Sequence, residues 1–470
     1  MTIDTVITGA RVVTPGGIVA ADVGIRDGKI ATLAQTGEAG EAGETIDASG
    51  LTLLPGFVDV HSHHREPGFT HKEDIRSATA ACAAGGVTTT VAMPNVYPPP
   101  NTPDVLADMF KLYERSAIVN WNVNPAGTKV DQIPELAKMG VVAFKVFMVV
   151  DTGRDYPHMP GIGVHDHGKL LAIMETCAEA GVPLMVHPHD QALMDQIEQE
   201  YWDRGERDAQ AYARAYAAHD GLIWETAIAT LLRLQKATGV HLHLLHVQTA
   251  GSVELIRQAK AAGQHVTAEI NPWALFLGHK WENIERLGSY ALSYWVPESN
   301  DPYLWEGLRD GTIDLISTDH APHTREEKEV GWEDGWKAHT GTPSTQFYAR
   351  MMLDAAHRGK LSLERVVELC STVPARAFGF AGKGEIAVGA DADLVLVDTE
   401  RTTTVTDEEV LSKIGYTPYA GETYTGLPVR TLIAGKTVFA DGKVIGEPGT
   451  GTQSRRTVRL WQRHRAARHH

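Results

Sequence analysis

The chain has 470 residues, with 43 Lys+Arg against 59 Asp+Glu and a formal net charge of −16. That balance excludes a broad nucleic-acid surface, which needs a basic face, but leaves room for an anionic small molecule held by local charge. The three cysteines, Cys82, Cys177 and Cys370, are far apart and form no CxxC pair, which argues against a disulfide framework or a zinc ribbon. The start, MTIDTVITGARVV, lacks a basic segment followed by an apolar run. No stretch reaches the roughly 18 apolar residues of a membrane helix. The expectation is a cytoplasmic soluble protein.

Short β-rich runs open the chain: TVITGARVVT, AADVGIRDGKIATLA and ETIDASGLTLLPG, each broken by Gly or Asp-Gly turn signals. Similar runs return late, in KGEIAVGADADLVLVD and RTLIAGKTVFADGKVIG. Pairing of the two pieces would give one small β domain built from residues 1–55 and 376–450; the alternative is two separate β decorations. Between them, over 56–375, eight apolar runs alternate with helical segments. In order they are GFVDVHSH, GVTTTVAMPN, SAIVNWNVNP, VVAFKVFM, VPLMVHPHD, HLHLLHVQT, HVTAEIN and IDLISTDHAPH. Eight β–α units predict a (β/α)₈ barrel, an α/β fold whose active site sits at the C-terminal ends of the strands. The last stretch, 451–470, is basic and reads as a surface tail, or less simply as an arm toward another subunit.

Polar residues gather where the apolar runs end. In VDVHSHHREPG, strand alternation sends His61 and His63 one way and His64 the other. An HxH at a barrel strand's end can chelate one metal ion, though alone it is a weak signal. Further runs offer His187, His246, and Asp319 with His320 and His323. Lys145 stands inside an apolar run, where a charged amine is costly. It is either a lysine reaching out of the barrel or a neutral or chemically modified group beside metal. Four histidines, an aspartate and a lysine exceed the needs of one catalytic zinc, which usually takes three protein ligands and a water. They suit two divalent ions sharing a ligand, and so hydrolysis.

The segments PGFVDVHSHHREPG, GGVTTTVAMPN, FKVFM and STDHAPH resemble the cyclic amidohydrolase branch of the amidohydrolase superfamily, which includes dihydroorotases, allantoinases, hydantoinases and dihydropyrimidinases. The resemblance spans nearly the whole chain. It implies a TIM-like barrel beside a composite β-sandwich. It implies two divalent ions, zinc by preference, with His61, His63 and Asp319 on one, His187 and His246 on the other, and a carboxylated Lys145 bridging both. A metal-bridging hydroxide would attack a ring amide carbonyl, with Asp319 moving the proton to the leaving nitrogen. Dimers or tetramers are the family's habit. Among these families HxHxREPG and MPN are most like dihydroorotase, in which the residues matching Arg65, Asn95 and His323 hold a substrate carboxylate. An ion pair of Arg65 with Glu66 or Glu73 is the structural alternative. The segments expected to line the pocket depart from that pattern: EINPWALFLG, SYWVPESNDPY and HTGTPSTQFY stand in their place, and His189 replaces a common glutamate. FKVFM is closer to hydantoinases and allantoinases. Trp273, Tyr294 and Trp295 either make the pocket aromatic or pack on the barrel wall. The expected reaction is opening of a cyclic amide, dihydroorotate first and a hydantoin, dihydropyrimidine or allantoin-like ring second. A scaffold that has lost catalysis fits poorly, because all six ligand positions are filled.

Overall fold

Five strands open the chain: β1 (Ile3–Thr14), β2 (Gly17–Arg26), β3 (Lys29–Ala34), β4 (Ala42–Asp47) and β5 (Thr52–Pro55). The computed structural model describes residues 3–149, 161–291 and 295–457. Eight short strands follow: β6 (Phe57–Ser62), β7 (Val87–Ala92), β8 (Asn120–Val123), β9 (Phe144–Phe147), β10 (Leu184–His187), β11 (Leu242–Leu244), β12 (Val266–Ile270) and β13 (Leu315–Ile316). Each of the eight apolar runs of the sequence becomes one of them. Four more strands close the chain: β14 (Leu394–Thr404), β15 (Thr423–Ile433), β16 (Lys436–Ala440) and β17 (Lys443–Val444).

The eight middle strands form a parallel barrel. Ladders join β6 to β8 and β9 to β13. Two isolated parallel bridges, Ala126 with Lys145 and Ser62 with His320, close the two gaps. Helices cross between successive strands, as parallel pairing requires. Connections at the strand tops are short. Asp190 caps the helix Gln191–Asp203 through its carboxylate on Leu193 N, three residues after β10 ends. Thr249 caps the helix Ala250–Ala261 in the same way through Ser252 N. Side chains just past a strand are therefore held at the rim by a strand on one side and a capped helix on the other.

The two chain ends build the β-sandwich together. β5 pairs parallel with β1 and antiparallel with β14, so strands from both termini share one sheet. Alternation along these strands joins the two cores. Val12, Leu53, Leu394 and Leu396 point into the sandwich core with Ile7, Val23 and Leu432. Their neighbours Val13, Leu54, Val395 and Val397 point into the barrel's outer core with Phe57 and Val87. A sheet buried on both faces holds the barrel against the sandwich without a linker.

Residues 451–457, the start of the basic C-terminal stretch, lie along the barrel. Trp121 N donates to Thr452 O at 3.0 Å, Ser454 N donates to Trp121 O at 2.8 Å, and Asn122 Nδ2 donates to Ser454 O at 2.6 Å. Residues 458–470 of that stretch, and Tyr294, lie outside the described residues. None of the described helices is long and apolar enough to cross a membrane.

Candidate active site

The expected ligands all lie at the C-terminal rim. His61 is the second-to-last residue of β6 and His63 lies just beyond it, Lys145 is in β9, His187 ends β10, and His246 and Asp319 follow β11 and β13. His61 Nε2 lies 3.1 Å and His63 Nε2 3.4 Å from Asp319 Oδ1. Ligand atoms of these three residues fall within 4.8 Å of one another, an arrangement that can hold a metal ion. On the other side, His246 Nε2 and His187 Nδ1 are 2.8 Å apart. The His61 and His246 rings, 6.0 Å between centroids, link the two groups.

Lys145 is fully buried, and its Nζ has no hydrogen-bond partner among the described residues. The Phe147 ring, two residues along the same strand, lies 4.1 Å from it. Parallel pairing sets Lys145 beside Met185, two residues before His187 in the neighbouring strand. Burial pushes the amine down to about 7, against the pull of Asp319 and Glu269. A lysine lowered this far has a substantial neutral, nucleophilic fraction near neutral pH and is open to modification.

Burial also holds His63 and His187 well below the usual histidine range, and His246 at about 4. Neutral imidazole is the form that binds metal. Burial alone would raise Asp319, but His61, His63 and His246 around it keep its carboxyl well below the ordinary range. The site thus offers neutral nitrogens and an ionised carboxylate, a donor set for zinc or a similar divalent ion.

Arg65, His246 and Asp319 all have positive φ, at 61°, 36° and 48°. For residues with a Cβ this left-handed backbone costs roughly 1–2 kcal/mol each, and strain of this kind collects at functional sites. All three stand just past strand ends, on the rim that carries the expected ligands.

Two of the three residues expected to hold a substrate carboxylate, Arg65 and His323, meet. Arg65 is buried; its Nε donates to Pro322 O at 3.2 Å, and its Nη2 lies 3.0 Å from His323 Nε2. Asn95 is buried just past β7. Glu66 accepts from Ile75 N, and Glu73 accepts from the hydroxyls of Ser77 and Ser412. His64 packs away from the site, with Nδ1 2.8 Å from the Tyr113 hydroxyl. Trp273 is 1% exposed within the barrel's outer core, and Trp295 is half-buried with its ring 4.8 Å from Trp281.

Sequence reading missed several neighbours. Glu269 in β12 places Oε1 2.5 Å from His61 Nδ1 and Oε2 3.1 Å from His243 Nε2. Asp59 accepts from Thr318 N at 3.0 Å and Thr318 Oγ1 at 2.6 Å, tying β6 to the loop that carries Asp319. Trp224, from the helix Ala218–Thr238, sets its ring 5.7 Å from His187, 5.8 Å from His246 and 6.0 Å from His189. The available signal for Glu269 and Asp59 was a lone carboxylate within an apolar run, HVTAEIN and GFVDVHSH respectively.

The model of the amidohydrolase family matches residues 52–438. The chain belongs to the amidohydrolase family. Residues 1–48 of this amidohydrolase also match the N-terminal domain of the urease alpha-subunit. An L-hydantoinase of Paenarthrobacter aurescens is 34% identical over 459 residues, covering 95% of this chain and 97% of that protein. A dihydroorotase of Bacillus cytotoxicus is 34% identical over 438 residues, covering 90% and 95%. The solved structure of the L-hydantoinase (dihydropyrimidinase) from Arthrobacter aurescens superposes with a TM-score of 0.90 at 32% identity, covering 97% of this chain and 100% of that one. This amidohydrolase is an enzyme of the cyclic amidohydrolase branch, acting on the C–N bond of a cyclic amide, and its His and Asp groups are of a kind that can bind metal.

Proposed function

We propose that the enzyme opens a ring amide carrying a carboxylate, with dihydroorotate as the leading substrate. The observation that carries this reading is the contact of Arg65 with His323, both buried, beside the ligand cluster of His61, His63 and Asp319. A buried guanidinium recognises a carboxylate through paired hydrogen bonds, and Asn95 would add a further contact.

Two divalent ions, zinc fitting the donors best, would be held by His61, His63 and Asp319 on one side and by His187 and His246 on the other. Lys145, carboxylated, would serve both. Its buried and unpartnered amine supports that fit. When bound, the ions lower the pKa of water and polarise the carbonyl. Asp319 accepts the proton of the attacking water and delivers it to the ring nitrogen as the C–N bond breaks, so one carboxylate acts as base and then as acid. Arg65 and His323 orient the ring through its carboxylate. The products of water addition are a carboxylate and a free N–H.

A hydantoin or dihydropyrimidine ring is the second reading. The similarity to an L-hydantoinase along 95% of the chain favours it, as does the aromatic wall of Trp224 and Tyr216 around His189. The same proposal includes a homo-oligomer, dimer or tetramer, working in the cytoplasm. A substrate panel of dihydroorotate, hydantoins, dihydrouracil, allantoin and cyclic imides tests the assignment. Faster turnover of the carboxylated ring supports it, and turnover confined to neutral rings overturns it.

A further inference from the structure

The run HLHLLHVQT carries three histidines, and the proposed function uses only His246. The other two are buried, His243 in β11 and His241 just before it. Standing two apart, they share a face, as do Thr267 and Glu269 on the neighbouring β12. Parallel pairing sets His243 beside Thr267. The four side chains meet in one line. Glu269 Oε2 lies 3.1 Å from His243 Nε2, His243 Nδ1 lies 2.8 Å from Thr267 Oγ1, and Thr267 Oγ1 lies 2.8 Å from His241 Nε2. At the upper end Glu269 Oε1 meets His61 Nδ1. At the lower end the His241 ring stacks on His265, 4.1 Å between centroids. Phe378 stands edge-on to the His243 ring at 5.1 Å. The line thus descends from a candidate metal ligand at the rim to the residue that precedes β11, at the opposite end of the barrel.

The hydrogens available fix the direction of each bond. An ionised carboxylate only accepts, so His61 Nδ1 and His243 Nε2 both donate to Glu269. A neutral imidazole has one N–H, so His243 Nδ1 is left as an acceptor and Thr267 Oγ1 donates to it. The hydroxyl has then used its only hydrogen, and it accepts from His241 Nε2. Every donor along the line points toward Glu269. Reversing the His243 ring would set a nitrogen lone pair against a carboxylate, and both groups are fully buried.

We propose that His243, Thr267 and His241 are positioning residues for the candidate metal site. Their one-way chain of hydrogen bonds keeps Glu269 accepting, and so holds His61 as the Nδ1–H tautomer with its Nε2 lone pair turned toward Asp319. Thr267 sets the direction, because its hydroxyl accepts from one histidine while donating to the next. The proposal rests on the reading of His61 as a metal ligand.

Zinc affinity of the metal-stripped full chain, measured by competition with a chromogenic chelator, tests the proposal beside NMR of the same chain with isotope-labelled histidine. The NMR is expected to show His243 as a neutral Nε2–H imidazole, assigned by the signal lost in His243→Gln. His243→Phe keeps the bulk of the ring without its N–H and is expected to weaken zinc about tenfold. His243→Gln retains a side-chain N–H and is expected to keep most of the affinity. Thr267→Val is expected to weaken zinc by a smaller factor, about threefold, with Thr267→Ser close to wild type. A merely structural Thr267 would tolerate Val at least as well as Ser, because Val keeps the β-branched shape. Unchanged zinc affinity in either His243→Phe or Thr267→Val overturns the chain, as does a His243 found as the Nδ1–H or doubly protonated form. If His243→Phe fails to fold, the two Thr267 variants and the NMR decide. A wild-type chain that binds no zinc would instead defeat the metal reading, and the tautomer of His243 would still decide the chain.

Discussion

His61 Nδ1 and Glu269 Oε1 are 2.5 Å apart, deep in the barrel and out of contact with solvent. The contact fixes which ring nitrogen of His61 faces the candidate metal: Nδ1 donates to the carboxylate, and Nε2 is left to point at Asp319. His243 holds the other oxygen of Glu269. Burial would raise the Glu269 carboxyl, but His61 and His243 outweigh it and hold the group at about 2. Histidine ligands backed by a carboxylate in this way bind metal more tightly, and loss of the backing group costs about 10–100-fold in affinity or activity. Glu269→Gln is therefore expected to lower metal affinity by that order while keeping the fold. Metal retained after dialysis against a graded chelator, read beside circular dichroism, checks it.

Arg65→Met removes the guanidinium at the proposed carboxylate clamp and leaves an apolar stem of similar length. A charge-assisted hydrogen bond to substrate contributes about 1.5–3 kcal/mol, which corresponds to roughly 10–100-fold in kcat/KM. That loss is expected for carboxylated rings and not for hydantoin or dihydrouracil. Steady-state kinetics on both classes measures it, and equal losses on both would defeat the clamp.

Lys328 makes a pH-dependent prediction. Burial, with Arg65 and Lys72 nearby, pushes its amine down from 10.5 to about 7. Between those values the unfolded chain binds the proton and the folded chain releases it. Stability therefore rises with pH across that window, at up to about 1.4 kcal/mol per unit from this one group. Below about pH 7 the penalty of the buried charge is fully present, and above about 10.5 it is gone. Urea unfolding of wild type and Lys328→Met from pH 7 to 10 should show the wild type gaining on the variant as pH rises. A constant difference would show that the lysine titrates normally.

The barrel was legible because each strand is an apolar run closed by polar residues; His61, His63, His187, His246 and Asp319, five of the six proposed ligands, stand at those closures. Lys145 drew notice as a charge where none should be. Pairing of the chain ends was legible from two matching sets of β-rich runs. What stayed hidden depends on tertiary approach. Trp224 reaches His187 from a helix whose sequence pattern only marks it as amphipathic core. The ion cluster of Lys72, Glu327 and His339 joins residues about 250 positions apart through loops with no periodicity to read. Positive φ at Arg65, His246 and Asp319 has no signature in the residue types, because the turn is imposed by the packed rim around it. Glu269 was within reach: a lone carboxylate in a buried strand needs a partner, and a histidine on a neighbouring strand was the nearest choice.

Elemental analysis of the full chain purified without chelator, coupled to a ring-opening assay before and after metal removal, tests the central claim most directly. The account predicts about two divalent ions per chain, loss of ring opening when they are stripped, and recovery when zinc, manganese or cobalt is returned. Undiminished ring opening by the metal-free chain would contradict it.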